Sequence, residues 1–228
     1  FHPRIAPSRR ALYRLDSPRG CLSAPRLLAV LLTAVATPLY PYYLHKTQIM
    51  LTPYKDSAEP KVDQIRRMFN RIAPKYDQLN KIISLGLDRS WRRTALHMLA
   101  PYAPKKVLDV ATGTGDLALE MMRTIPSVEQ IVGIDISEEM MRVGAEKVRL
   151  AGLDQRIRFE RQDSTATTFA DGSFDAATIA FGIRNFSDIP AAARELHRIL
   201  RPSGVLVIAE LTEPTNKLLR MAYKLYAG

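Results

Sequence analysis

Between residues 62 and 99 the apolar positions recur every three to four residues (Ile65, Met68, Phe69, Ile72, then Leu79, Ile82, Ile83), a spacing that puts them on one face of an α-helix. Pro74 and Gly86 interrupt the pattern, so it predicts two or three short helices. After Pro101 and Pro104 the period changes. Lys106 to Val110 reads as a short apolar strand, a glycine turn follows, and Asp116 to Arg123 returns to helical spacing. Ile131 to Ile136 is the next strand, and Ser137 is placed to cap a helix running through Leu150, with Glu138 and Glu139 in its first turn. The alternation continues with strands at Arg156 to Arg161 and Phe174 to Phe181, a helix from Ile189 to Leu200 and a strand at Val205 to Glu210.

The runs IVGID, AATIAF and GVLVIA are almost continuously apolar, as expected of parallel strands covered on both faces. Strands separated by helices predict an α/β fold: a Rossmann-like, doubly wound parallel sheet with an N-terminal helical cap. Internal repeats and low-complexity tracts are absent. The expected division is 1–49 as a leader or upstream sequence outside the domain, 50–104 as the cap and 105–228 as the α/β domain.

Composition changes this picture little. With 228 residues, 46% hydrophobic and 25% charged, the chain has the length and make-up of one good-sized core. The net charge of +10 suggests a nucleic-acid or membrane footprint until it is located along the chain. Residues 1–49 hold seven Lys/Arg and one acid, net +6, which leaves +4 for the remaining residues. No nucleic-acid partner is expected. The single cysteine, Cys21, lies in that same stretch, so the rest has no disulfide framework and a reducing compartment fits. His2, His45, His97 and His197 lack ligand spacing, and no metal is expected.

The leader itself supports three readings. Its apolar run LLAVLLTAVAT (27–37), closing on small residues, resembles a secretory signal, and its Arg-rich, acid-poor composition resembles a transit peptide. The first methionine is Met50, so translation starting there is the third reading and the one preferred. The run is short for a membrane span, and Pro38 and Pro41 break it.

The segment VLDVATGTGD (107–116) joins the first strand of the sheet to its helix. Gly113 and Gly115 let the backbone turn tightly and approach a ligand, and the helix start offers unpaired N–H groups. Gly113 to Ala118 also satisfies the dinucleotide pattern GxGxxG/A, so an NAD-binding oxidoreductase is a rival. Asp109 and Asp116 argue against it, because both would repel a pyrophosphate. Both would attract a cationic nucleoside such as S-adenosylmethionine. Asp135, 22 positions after Gly113, is placed to accept hydrogen bonds from both ribose hydroxyls. Asp163 with Ser164, ending the third strand, is placed at the adenine edge. The expected cofactor-binding set is therefore Asp109, Gly113, Thr114, Gly115, Asp135, Asp163 and Ser164.

These residues resemble the class I methyltransferase pattern, and two further segments narrow the resemblance to the quinone C-methyltransferases of menaquinone and ubiquinone biosynthesis. One is FNRIAPKYDQLN (69–80) with Ser84 and Trp91; the other is TIAFGIRN (178–185) with RILRPSG (198–204) and Glu210. The resemblance runs from about Val62 to Pro214. It departs at Asp88, where the family usually has histidine, and at Ser203, where it commonly has glycine. Because that family's chains continue for several dozen residues, the resemblance implies a C-terminally truncated chain, with a catalytically silent nucleoside-binding fragment as another rival.

The resemblance implies methyl transfer from S-adenosylmethionine to a ring carbon of a polyprenylated quinol. Demethylmenaquinol is the preferred acceptor and a benzoquinol the alternative. Such chemistry needs alignment and stabilisation of a phenolate whose unperturbed pKa is near ~10. Arg184, Asn185 and Tyr76 are the expected catalytic residues. The quinol's tail further suggests that the helical cap, with Arg66, Arg67, Arg71 and Lys75, touches an anionic membrane surface, the protein being cytoplasmic or peripheral at the inner membrane face. The oligomeric state is not legible.

Overall fold

The computed structural model describes residues 58–84 and 86–210 with their side chains, and the backbone alone of 12–14, 26–33 and 211–212. Three helices come first: α1 (Lys61–Ile72), α2 (Tyr76–Ile83) and α3 (Leu87–Leu99). Pro74 sits in a 3-10 turn between α1 and α2, and Gly86 takes a left-handed φ of 77° before α3. Both breaks thus stand where a missing N–H or a positive φ ends a helix.

The sheet consists of β1 (Leu12–Arg14), β2 (Arg26–Thr33), β3 (Lys106–Val110), β4 (Gln130–Asp135), β5 (Ile157–Arg161), β6 (Phe174–Ala180) and β7 (Leu200–Thr212). It is wound with α4 (Asp116–Thr124), α5 (Glu138–Leu150) and α6 (Ile189–Ile199). Strand order is β1-β2-β7-β6-β3-β4-β5. From β3 the chain winds outward through β4 and β5, then returns to the other side of β3 with β6 and β7, all parallel. This reversal beside β3 is the topological switch point, where ligands of doubly wound sheets bind at the carboxyl ends of the strands.

Two apolar clusters cover the sheet. One joins α3, α4 and the sheet through Leu96, Leu99, Met121 and Val207; the other packs α6 on it through Leu196, Ile199 and Phe174. Ser137 caps α5 as its position predicts, its Oγ accepting from the N–H of Met140 at 3.3 Å. β7 is longer than the expected Val205 to Glu210. Pro202, Ser203 and Gly204 read as a turn, yet the strand runs through them, with Ser203 at a φ of 67° and a register shift against β6. At one edge, the backbone of β2 lies parallel to β7 and that of β1 antiparallel to β2, both within 1–49. The rest of that stretch, and Met50 after it, lie outside the described residues.

Candidate cofactor and substrate site

The loop after β3 turns through three left-handed residues, Ala111, Gly113 and Gly115. Thr112 N–H donates to the Ile134 carbonyl at 3.0 Å, tying the loop to the end of β4. Beneath it lies the ring of Phe159. A Cβ on Gly115 would come within 2.7 Å of that ring, one on Gly133 within 2.7 Å and one on Gly144 within 3.1 Å. Glycines from the loop, β4 and α5 therefore form a slot for one aromatic side chain. Gly115, expected for ligand approach, is required by this packing.

Asp109 lies below the loop at 1% exposure. Its two carboxylate oxygens accept from the hydroxyls of Thr112 and Thr178, each at 2.7 Å. Burial pushes its carboxyl up to about 6, against those two hydrogen bonds. Asp109 thus knits the loop to β3 and β6 and does not line the cavity above.

That cavity encloses about 730 Å³, open mouth included, between the carboxyl ends of β3 to β6 and the first two helices. Asp135 stands in its wall. One carboxylate oxygen accepts from Gly113 N–H at 2.9 Å and the other from Ser137 N–H at 2.8 Å, while burial raises its pKa. Asp163 and Ser164 line the cavity too. Asp163 closes a turn, its Oδ1 accepting from the N–H and hydroxyl of Thr165, both at 2.8 Å. Apolar walls come from Ile65, Phe69, Met140 and Phe186. Among the described residues, two carboxylates and no Lys, Arg or His line it. The Gly113 amide, which a dinucleotide's pyrophosphate would seek, already faces a carboxylate. An acidic lining without a cation among the described residues suits a cationic nucleoside.

Thr114 and Asp116, by contrast, turn to the other side of the loop. The Thr114 hydroxyl donates to Asp77 Oδ1 at 2.6 Å, and Lys147 Nζ donates to Asp77 Oδ2 at 2.8 Å. Lys147 also pairs with Asp116, whose second oxygen lies 3.3 Å from Arg92. The attraction expected of Asp116 for a cofactor cation is spent on Lys147 and Arg92. Asn70 adds a second tie to the cap, accepting from the Ser137 hydroxyl at 2.7 Å. Asn70, Asp77, Lys147 and Phe159 were not singled out in the sequence. Only the first two had a signal there, their place in the 69–80 segment.

Of the expected catalytic residues, Tyr76 and Asn185 line the cavity and Arg184 does not. The Tyr76 ring meets Phe69 edge-on at 6.1 Å, and burial pushes its phenol above the usual range although the nearby Arg184 charge opposes this. Tyr76 therefore keeps its proton at neutral pH. Asn185 Oδ1 is buried without a hydrogen-bond partner among the described residues, an acceptor that a ligand can satisfy. Arg184 Nη1 pairs with Glu210 Oε1 at 2.5 Å. Among the described residues no cluster of three potential metal ligands occurs.

A demethylmenaquinone methyltransferase of Porphyromonas gingivalis is 50% identical over 178 residues, 78% of this chain and 72% of that protein. One of Bacteroides fragilis is 47% identical over 180 residues, 79% and 73% of the two chains. Among solved structures, a proposed S-adenosyl-L-methionine-dependent methyltransferase of Methanococcus maripaludis superposes with a TM-score of 0.55 at 18% identity, covering 75% of this chain and 73% of that one. This likeness speaks for the fold alone. The sequence profile of the ubiE/COQ5 methyltransferase family matches residues 55–228, and the chain belongs to that family.

Proposed function

We propose that this chain transfers the methyl group of S-adenosylmethionine to a ring carbon of demethylmenaquinol, leaving S-adenosylhomocysteine, menaquinol and the proton that the ring carbon gives up. The observation that carries the reading is the cavity at the switch point, with Asp135 and Asp163 in its wall and no cation. The names of the two bacterial relatives support the naphthoquinol over a benzoquinol. The cofactor supplies an electrophilic methyl carbon on a sulfonium.

The chain's residues supply position and field. The carboxylate of Asp135 keeps acceptor capacity beyond its two backbone hydrogen bonds and takes the ribose hydroxyls with it. Ser164 and Asp163 meet the adenine edge. Asn185 Oδ1 accepts a hydrogen bond from the quinol hydroxyl and orients it, and Tyr76 donates a hydrogen bond to the oxygen as negative charge grows on it. Arg184, held by Glu210, favours that charge through its field, without lining the cavity. Helices α1 to α3 serve as the cap over the α/β domain, and the expectation that 1–49 lies outside it is corrected by the backbone of β1 and β2, which joins the sheet at β7. No helix of the described residues is long and apolar enough to cross a membrane, and the proposal puts the enzyme in the cytoplasm, reaching its quinol at the inner membrane face.

Calorimetric titration with S-adenosylhomocysteine and NAD, alongside a methylation assay on demethylmenaquinol, tests the reading. Binding of the former alone with methylated product is expected; NAD binding or an inert quinol overturns it. Arg184→Ala is expected to slow methylation about tenfold or more while cofactor affinity holds, in line with loss of one electrostatic stabiliser.

A further inference from the structure

Within the segment TIAFGIRN (178–185), Phe181 follows the last residue of β6 and takes a left-handed φ of 59°. For a bulky side chain that conformation is an outlier, and it persists only where the surroundings enforce it. Here they do. The Phe181 N–H donates to the Ala209 carbonyl of β7 at 2.8 Å. Gly182, next in the chain, runs against the end of β3, where a Cβ on it would come within 2.5 Å of Ala111 Cβ. Ala111 is itself left-handed, at 53°. Two left-handed residues that are not glycine thus stand at the switch point, at the ends of β3 and β6.

This φ decides where the ring goes. From Ala176 onward β6 alternates: Ala176 and Ala180 pack with the cluster under α3 and α4, Ala177 and Ile179 with the one under α6. An extended Phe181 would follow Ile179 toward α6. Its ring instead meets Trp91 of α3, with centroids 5.8 Å apart and planes at 59°, and lines the cofactor cavity. Among the described residues of that lining Trp91 is absent, so Phe181 stands between Trp91 and the cavity. The 3-10 turn of Ile183–Asn185 follows, Asn185 N–H donating to the Gly182 carbonyl at 3.0 Å, and brings Asn185 to the same cavity. The other phenylalanines of the lining are engaged elsewhere: Phe69 edge-on with Tyr76, and Phe186 with the cluster under α6.

We infer that Phe181 is a specificity-determining residue: its ring, backed by Trp91, is the wall against which the acceptor's aromatic ring lies, and it favours a fused bicyclic acceptor over a monocyclic one. The inference rests on the proposed function, whose acceptor it describes further. Hydrogen bonds from Asn185 and Tyr76 to a ring oxygen are open to either acceptor and do not tell them apart. Contact area against Phe181 does. Two aromatic rings gain from offset or edge-on contact beyond the area they bury, and a second fused ring extends that contact.

Trp91 is the only tryptophan of the chain, so its fluorescence reports binding at this wall. Titration of the full chain, loaded with S-adenosylhomocysteine, with menadiol and with methylhydroquinone under argon tests the inference. The wild type is expected to show saturable quenching by menadiol and to bind it more tightly than the monocyclic diol. Phe181→Leu should weaken menadiol binding about fivefold and narrow that preference, whereas Phe181→Tyr, which keeps the ring, should stay within about twofold of wild type. S-adenosylhomocysteine affinity should hold in both variants, as the check on folding. Trp91 fluorescence that menadiol does not move, a wild type without preference, Phe181→Leu binding as the wild type does, Phe181→Tyr losing as much as Phe181→Leu, an equal loss for both diols, or a parallel loss of S-adenosylhomocysteine affinity would overturn it. In the methylation assay Phe181→Leu should raise KM for demethylnaphthoquinol about fivefold with kcat within about threefold. A quinol that is inert with every protein counts against the reaction, while the diol titrations still judge Phe181.

Discussion

The glycine loop of residues 111–115 separates two cavities whose charges are arranged in opposite ways. In front of it the switch-point cavity holds Asp135 and Asp163 with no cation among the described residues of its lining. Behind it the groove holds Asp77, Asp88 and Asp116 amid Arg and Lys, each acid paired. A carboxylate without a cationic neighbour is available to a cationic ligand, whereas a paired one holds two parts of the chain together. Acids only a few residues from the same loop thus have different work, decided by which side of the loop the carboxylate reaches.

The sharpest way to break this comparison is to remove one acid from each side. Asp135→Ala takes away the acceptor expected for two ribose hydroxyls. The affinity for S-adenosylhomocysteine should fall at least ~100-fold, about 3 kcal/mol, as hydrogen bonds to a charged group are lost. Asp116→Ala should leave that affinity within about threefold, its oxygens being engaged by Lys147 and Arg92. Equal losses by calorimetry would erase the distinction.

Asp109 belongs to neither cavity, and its effect should appear in stability. Its folded carboxyl, near 6, stands above the ordinary 3.8. The folded state therefore holds the proton more tightly, and this group's contribution falls as pH rises from about 4 to about 6, by roughly 1.4 kcal/mol per unit and about 2 to 3 kcal/mol in all. Asp109→Asn lacks that slope. Urea unfolding of both proteins across this range should show the wild type's advantage shrinking with pH; a constant difference would mean that Asp109 is ionised throughout.

Much of this architecture was legible beforehand, for definite reasons. Runs such as IVGID read as strands because burial on both faces makes them apolar throughout. The place of Asp135 in the cavity wall was legible because the end of the strand after a glycine loop lies at the carboxyl edge of the sheet. The same double burial hid the fate of Asp109, since a strand covered on both sides gives no polar face to read. The partners of Asp116 are Arg92 and Lys147, distant in sequence, and local spacing cannot reveal them. β7 was cut short because Pro202, Ser203 and Gly204 carry turn chemistry that the sheet overrides.

Phe159 is the support common to both cavities, and thickening its slot should disturb both. In Gly133→Ala the added carbon would stand 2.7 Å from the ring and 2.9 Å from Thr112 Cγ2. Overpacking of this kind costs about 2 kcal/mol. Denaturant unfolding should register the loss, and Gly133→Ala combined with Phe159→Leu should recover part of it. No recovery would place the strain elsewhere.

The smallest effect concerns the groove and most directly tests its role as a fastening. Lys147 binds both Asp77 on α2 and Asp116 at the start of α4, so Lys147→Met unfastens the cap from the loop while keeping the apolar stem. Because Lys147 is partly exposed and Arg92 remains beside Asp116, the loss should be only about 1 kcal/mol, or roughly 2 to 4 °C in Tm. S-adenosylhomocysteine affinity should change no more than about threefold, because the Asp135 side of the loop is untouched. A large drop in affinity without a change in Tm would show that the groove acts on the cofactor, and its paired acids could no longer be contrasted with the free ones in front.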